Sequence, residues 1–156
     1  MILFPRILQL LLSLPPCWVE RADPDRIAHL TIEAQAIAAV SVTADDAAGL
    51  VAILEAESAG CWSVATGTRR GGEGQGPWQL EPNSNREPPF FGDTVEPLTH
   101  AAGEALWIWK KSRRCGKDLG ARFGYYAGLG CRAWSGSAKR VKRYQWARNR
   151  LAHMSQ

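Results

Sequence analysis

The longest irregular segment of the chain, residues 61–91, is the feature that most constrains its fold. It is rich in Gly, Pro and Asn and has no apolar repeat at helical spacing, while helical patterns flank it on both sides. The large aromatic residues within it, Trp62, Trp78, Phe90 and Phe91, argue against disorder. Irregular segments of this length inside a compact domain are usually functional. We therefore expect a long surface loop, or a small irregular lobe, set into a helical protein.

Apolar residues recur at helical spacing outside this segment. The predicted helices run from about residue 24 to Val40, from Thr43 to Gly60, over 96–114 and over 137–152, and a Gly-rich segment at 116–136 separates the last two. Thr43 followed by Asp45 and Asp46 is typical of a helix start, because a capping side chain and two acids meet the positive end of the helix. A chain of 156 residues suits one domain. We predict a mainly α domain over residues 23–156.

The first 22 residues form a separate apolar segment. Arg6 precedes an apolar run from Ile7 to Leu14, which is too short to span a bilayer, so no stable membrane span is expected. Two interpretations stay open. The segment is either an export signal or a first helix that packs one apolar face onto the domain, formed by Ile7, Leu8, Leu11 and Leu12.

Basic residues are concentrated in the last third of the chain. The segment from Lys110 to Arg150 contains thirteen Lys and Arg against one acid, Asp118, and so has a net charge of +12, whereas the whole chain carries +4. Such a region can bind an anionic cell-wall polymer, anionic lipid or nucleic acid, and charge does not choose among them. The alternative is a solvated helix face without an anionic partner.

The cysteines and histidines give no metal-binding pattern. Cys17, Cys61, Cys115 and Cys131 form no Cys-x-x-Cys pair, and the three histidines are isolated in the sequence, so we expect no zinc site and no other metal. A disulfide between Cys115 and Cys131 is one interpretation if the compartment is oxidising. Buried free thiols are the other.

Glu57 occupies an unusual position in the second predicted helix. It lies within about 20° of Leu50 around the helix axis, three residues after Leu54 and four after Ile53, and therefore on the apolar face. Glu55 is predicted to face water. Apolar surroundings favour the protonated form of a carboxyl, which can then donate a proton near neutral pH. The alternative is a helix-end Glu that reaches solvent or caps a neighbouring turn.

Three short motifs follow one another along the chain. They are Glu57-Ser58, then Gly-Pro-Trp-Gln-Leu-Glu-Pro over residues 76–82, then Tyr-Tyr-Ala-Gly-Leu-Gly over 125–130. In order and approximate spacing they resemble the motifs of the lysozyme-like lytic transglycosylases, the soluble lytic murein transglycosylase family, over about residues 43–152. Thr66, nine positions after Glu57, keeps the hydroxyl of a Ser that this family has there. The size and the Gly-Pro-Trp-Gln variant are similar to short virion-associated wall enzymes of bacteriophages.

The resemblance implies a lysozyme-like fold and a peptidoglycan-degrading activity. Such an enzyme cleaves the β-1,4 bond between MurNAc and GlcNAc without water and leaves 1,6-anhydroMurNAc ends. Glu57 is then both general acid and general base, and no cofactor is needed. The resemblance also implies a periplasmic or extracellular location, reached by export or as part of a virion.

Further site residues are implied by the same motifs. Tyr125 and Thr66 are expected to orient Glu57 and the N-acetyl group, and Gln79 and the Trp78 ring are expected to hold sugar. Ser58 and Tyr126 complete the predicted site. Pro77-Trp78, Tyr126 and Leu129 depart from the family pattern, which bears on subsite preference more than on chemistry.

Two alternative functions stay open. A hydrolytic muramidase needs a second carboxylate to activate water or to attack the sugar, and Glu73 and Glu81 are the candidates in the loop. A non-catalytic module could instead bind wall polymer through the basic region at 110–150, or DNA, which is the less favoured partner.

Overall fold

A computed structural model of the chain describes residues 3–20, 22–69, 74–83 and 88–153. These residues are mainly helical and form no β-strand, although an isolated antiparallel bridge joins Gln75 to Leu80. The helices are α1 (Leu3–Leu12), α2 (Arg26–Val40), α3 (Ala44–Ser58), α4 (Trp62–Ala65), α5 (Val95–Lys111), a 3-10 helix (Ser112–Cys115), α6 (Leu119–Tyr126) and α7 (Ser137–His153). The prediction of a mainly α protein is confirmed.

Helix α3 lies at the centre of the packing. It contacts α7 and α5 most extensively, while α2 packs against α5 and α1. Every residue from Asp46 to Leu54 is buried, so α3 has neighbours on all sides. The helix begins as predicted, because the Thr43 hydroxyl accepts from the backbone N–H of Asp46 and the Asp46 carboxylate accepts from that of Thr43. Gly49 lets α5 approach closely, since a Cβ there would overlap the Trp109 ring.

The N-terminal segment contains a helix that belongs to the core. Ile7, Leu10 and Leu11 of α1 are buried against α2 and α7. The buried face differs from the predicted one, because it contains Leu10, whereas Leu12 is 36% exposed. Positions 7, 10, 11 and 14 follow the spacing of one helix face more closely than the predicted set.

The Gly-rich segment at 116–136 contains a helix that the sequence did not predict. Asp118 caps α6 by accepting from the backbone N–H of Ala121 at 3.2 Å. Gly124 faces the following loop, where a Cβ would overlap the carbonyl oxygen of Arg132. This glycine therefore permits a close backbone approach and does not end the helix.

Two disulfides join the four cysteines. Cys17 pairs with Cys61, with the Cα atoms 5.1 Å apart, and Cys115 pairs with Cys131, with the Cα atoms 5.2 Å apart. The first links the segment after α1 to the residues that follow α3. The second closes a loop that contains the whole of α6. Within the described ranges, no helix is both long and apolar enough to cross a membrane.

Candidate active site

A cleft of about 840 Å³ opens between the C-terminal end of α3, the turn at 74–81 and the loop at 125–130. Side chains of α5 and α7 complete its walls. The residues of the three predicted motifs that line it are Glu57, Gln79, Leu80, Glu81, Tyr125, Tyr126, Ala127, Gly128, Leu129 and Gly130. Segments that are far apart in the sequence therefore meet around one space.

Glu57 projects from the last turn of α3 into this cleft. Its side chain is 21% exposed, and its Oε1 accepts a hydrogen bond from Nη2 of Arg140 at 2.7 Å. Arg140 comes from the first turns of α7, where its guanidinium carbon lies 4.8 Å from the centre of the Trp134 ring. A carboxyl that faces a solvent-filled cleft and has one defined cationic partner can exchange a proton with a bound ligand.

Glu55 does not face water, which corrects the sequence prediction. Its side chain is 10% exposed and its Oε1 lies 3.3 Å from Arg143 and 3.6 Å from Lys139, both on α7. The prediction assumed that α3 has one apolar face and one solvated face. Because α7 covers the second face, the acids on that face pair with basic side chains of α7.

The turn at 75–80 holds Gln79 in the cleft in an uncommon backbone conformation. Gln79 has a φ of 49°, in the left-handed region that costs a non-Gly residue about 1 kcal/mol. Its backbone N–H and its side-chain Nε2 both donate to the carbonyl of Gly76, at 3.1 and 2.8 Å. Gly76 is itself at φ 68°, and a Cβ there would overlap the carbonyl oxygen of Phe90. Hydrogen bonds between its own residues thus hold the turn in this conformation.

Trp78 is a core residue, so the expectation that its ring stacks on a sugar is wrong. The side chain is fully buried and its Nε1–H donates to the carbonyl of Leu50 at 3.1 Å. No ring face is left for a ligand. The Trp78 carbonyl accepts from the Tyr126 hydroxyl at 2.9 Å, so this residue anchors the turn to both α3 and α6.

Trp107 supplies an exposed ring that sequence reasoning did not assign. It lines the cleft from α5 with 48% of its surface exposed, and Nζ of Lys111 lies 3.7 Å from the ring centre. Trp109, two residues later, is fully buried. The apolar repeat of α5 at positions 98, 101, 102, 105 and 109 leaves position 107 off the buried face, and this was the available signal.

Two further predicted site residues lie outside the cleft. Ser58 is buried, and its hydroxyl donates to the carbonyl of Leu54 at 3.0 Å and accepts from the backbone N–H of Gly60, so it completes the end of α3. Thr66 donates to the carbonyl of Trp62 at 3.1 Å and lines a different cavity. Neither hydroxyl is bonded to Glu57 among the described residues. The motif places hydroxyl-bearing residues after Glu57 in the sequence, but in the structure neither of them lines the cleft.

A second cavity, of about 860 Å³, lies beside α4 and is lined by Thr66, Trp62 and His29 among others. At its rim Asp23, Asp25 and His29 bring their potential metal-ligand atoms within 4.8 Å of one another. Burial raises the pKa of Asp23, but the Asp25 N–H and the His29 imidazole outweigh it, and the pKa falls below its ordinary value. The His29 Nδ1 lies 2.7 Å from Asp23, and the Asp25 N–H donates to the same carboxylate. The Asp23 carboxylate therefore already has partners within the cluster.

The basic region is partly neutralised within the protein. Five of its cations form ion pairs with acids at the two ends of α3, although Lys139 stays 76% exposed and Arg113 54%. The pairs are Lys110 with Asp46, Arg113 with Asp45 and Asp46, Lys139 and Arg143 with Glu55, and Arg140 with Glu57. Glu81 lines the cleft with its side chain exposed, and Glu73 lies outside the described residues.

Comparison with models of protein families, with curated proteins and with solved structures finds no match to this chain.

Proposed function

We propose that the chain is a lysozyme-like domain that cleaves peptidoglycan as a lytic transglycosylase. One observation carries the proposal. Glu57, Gln79 and Tyr125 belong to three motifs that the sequence resemblance selects without reference to any fold, and all three line the same cleft. The substrate is the glycan strand, and the bond cleaved is the β-1,4 bond between MurNAc and GlcNAc.

Glu57 acts twice in the proposed reaction. Its protonated form first donates to the bridging oxygen, and the bond from C1 of MurNAc to that oxygen breaks with the electron pair going to oxygen. The N-acetyl group of the same sugar stabilises the cation at C1. The ionised Glu57 then accepts the proton of the 6-hydroxyl as this oxygen bonds to C1. The proton returns to Glu57, and no water is consumed.

Sugar binding is assigned to the residues that face the cleft. The Trp107 ring lines the cleft with 48% of its surface exposed and can stack on the apolar C–H surface of a sugar. Gln79 is held by the turn at 75–80, and Tyr125 lines the same cleft. Trp107 thus takes the role that the sequence assigned to Trp78.

The two disulfides favour an oxidising compartment, since such bonds persist outside the cytosol. This agrees with an enzyme that meets peptidoglycan in the periplasm or outside the cell, whether exported or delivered by a phage particle. Cations of the region 110–150 that have no acidic partner in α3 can add contacts to anionic wall polymer.

A hydrolytic muramidase is the second candidate, because Glu81 lines the same cleft as Glu57. In that reaction a second carboxylate activates water or attacks the sugar. The two mechanisms differ in their products. Transglycosylation leaves anhydro ends one water lighter than the reducing ends that hydrolysis leaves.

The test is digestion of purified peptidoglycan, with the soluble products weighed by mass spectrometry. Wild type, Glu57→Gln and Glu81→Gln are compared. We expect anhydro products from wild type and from Glu81→Gln, and none from Glu57→Gln. Reducing ends that disappear in Glu81→Gln would establish the muramidase instead. Binding to the cell wall without release of any product would leave only a binding module.

A further inference from the structure

The contact between Glu57 and Arg140 conflicts with the first step of the proposed reaction. The Oε1 atom of Glu57 is occupied by the Arg140 guanidinium at 2.7 Å, whereas a general acid must make a hydrogen bond to the oxygen that it protonates. If the proposed function holds, on which this inference rests, Arg140 must leave Glu57 when substrate binds. A group of the substrate must therefore bind Arg140 more strongly than Glu57 does.

Arg140 is placed to bind an anion that enters the cleft. It is the one cationic side chain among the described residues that line the cleft, and it is 18% exposed. A guanidinium carries five N–H donors. Among the described residues, the guanidinium donates to Glu57 and, at 3.4 Å, to the carbonyl of Gly136. These two bonds use fewer than its five donors.

The surroundings of Arg140 hold the guanidinium in place while its partner changes. Its guanidinium carbon lies 4.8 Å from the centre of the Trp134 ring, and Gly136 makes room for both, because a Cβ there would overlap Trp134. The Ser137 hydroxyl fixes this loop by donating to the Trp134 carbonyl at 2.6 Å and accepting from the Trp134 N–H at 3.2 Å.

The substrate carries carboxylates close to the reacting bond. In peptidoglycan the stem peptide is attached to the MurNAc residue whose C1 is cleaved, and the peptide ends and side chains bear carboxylates. Arg binds carboxylates with a planar two-pronged geometry that is stronger than a point-charge contact. A peptide-bearing strand therefore offers Arg140 an alternative to Glu57, and a bare glycan strand does not.

We infer that Arg140 is a specificity-determining residue, which exchanges Glu57 for a carboxylate of the stem peptide and thereby frees the Glu57 carboxyl for the glycosidic oxygen. On a bare strand Arg140 stays on Glu57, and the first step is slow. The cleft then distinguishes peptide-bearing glycan strands from bare ones through a residue that does not itself contact the reacting atoms.

Lys139 provides a matched control. It is the neighbouring residue on α7, and it also pairs with an acid of α3, since its Nζ lies 3.6 Å from Oε1 of Glu55. Its side chain is 76% exposed and does not line the cleft. Lys139→Gln removes the same charge from the same helix without changing the partner of Glu57.

The experiment measures kcat/KM on two substrates. These are peptidoglycan with its stem peptides and the same glycan strands after an amidase has removed the peptides. We expect wild type and Lys139→Gln to prefer peptide-bearing strands at least about tenfold, as for the loss of a charged hydrogen bond. In Arg140→Gln the ratio falls to about one, because cleavage of bare strands becomes faster and cleavage of peptide-bearing strands slower.

A split between kcat and KM separates this role from a merely structural one. In Arg140→Gln we expect a higher kcat on bare strands than in wild type, because the Glu57 carboxyl is free. We also expect a higher KM on peptide-bearing strands, because their carboxylate has lost its partner. A general loss of structure lowers kcat on both substrates. If circular dichroism finds Arg140→Gln unfolded, Arg140→Lys is tested for a preference reduced several-fold.

The outcomes distinguish the inference from the function on which it rests. An undiminished preference for peptide-bearing strands in the folded Arg140 variant overturns the inference and leaves the enzyme standing. An equal preference for both substrates in wild type does the same. Absence of product from wild type on either substrate overturns the proposed function, and the inference with it.

Discussion

The two ends of α3 carry the same kind of chemistry in different surroundings. At the N-terminal end, Asp46 is 2% exposed and lies within 3.6 Å of Lys110 and 3.5 Å of Arg113. At the C-terminal end, Glu57 is 21% exposed and pairs with Arg140 at the wall of a cleft. Both acids meet cations from other helices, yet only the second is open to a ligand.

The difference lies in what else each carboxylate binds. Asp46 also accepts from the backbone N–H groups of Val42 and Thr43, and its neighbour Asp45 accepts from the buried Tyr144 hydroxyl. Burial, followed by this hydrogen bond and the charge of Asp45, raises the pKa of Tyr144 to about 12. Asp46 is thus enclosed by backbone donors, whereas the ion pair of Glu57 borders a cavity that a ligand can enter.

The substitution Glu57→Gln is the strongest test of the difference between the two ends of α3. We expect a loss of peptidoglycan cleavage by a factor of about 10² to 10⁴, the usual contribution of a general acid. The free energy of unfolding should change by about 1 kcal/mol or less, because the pair is partly exposed. Turbidity loss of cell-wall suspensions and urea unfolding measure the two quantities. A large loss of stability with unaltered cleavage would make this end of α3 structural as well.

Glu33 is a third kind of acid, because no described residue is hydrogen bonded to its carboxylate. It is fully buried in α2, and neither carboxylate oxygen is hydrogen bonded within the described part of the chain. Burial, with a smaller contribution from the charge of Glu20, raises the pKa of Glu33 from 4.5 to about 8. The folded protein therefore holds a proton that the unfolded chain releases above pH 4.5.

Stability should consequently fall as pH rises through this window. Between pH 4.5 and about 8 the contribution of Glu33 declines, by about 1.4 kcal/mol per pH unit at most. Glu33→Gln removes this slope and is more stable than wild type at pH 8. Urea unfolding of both proteins at pH 5, 6.5 and 8 is the measurement, and parallel curves for the two would show that Glu33 carries no bound proton.

Asp46→Ala probes the enclosed end of α3. It removes one half of the capping box and leaves Lys110 and Arg113 without this partner, so we expect a loss of about 2 kcal/mol in the free energy of unfolding. Cleavage per folded molecule should stay at the wild-type level, measured below the unfolding transition. A selective loss of activity would connect this end of the helix to the cleft.

Lys139→Gln should have the smallest effect. The side chain is 76% exposed, and Arg143 stays 3.3 Å from Oε1 of Glu55 after the substitution. Exposed ion pairs contribute little, so the change in unfolding free energy should be below about 0.5 kcal/mol. Thermal unfolding detects a larger change, which would place Lys139 with the structural pairs of Asp46.

The sequence predicts those parts of the molecule that depend on local pattern. The cap at Thr43 and the helices α2, α3, α5 and α7 follow from side chains near one another in the chain. Helix α6 was not predicted, because the close contact of Gly124 with Arg132 exists only in the folded protein.

The candidate site also has residues that local sequence patterns predict and residues that they do not. The end of α3 and the motif around Tyr125 are local patterns, and they reach the cleft as predicted residues. The partner of Glu57 comes from α7, 83 residues later, and no local rule identifies it. Trp78 was assigned to the sugar-binding site because its loop motif predicted an exposed ring. In the structure its indole N–H donates to the backbone of α3.

The disulfides fasten the two sides of the cleft separately. Cys61 lies just beyond the end of α3 and is tied to Cys17, while the bond from Cys115 to Cys131 encloses the loop at 125–130. Neither bond crosses from one side to the other. Contact between the sides is made by noncovalent packing and by the hydrogen bond from Tyr126 to the Trp78 carbonyl. The position of one side of the cleft relative to the other therefore depends on noncovalent contacts, since neither disulfide joins the two.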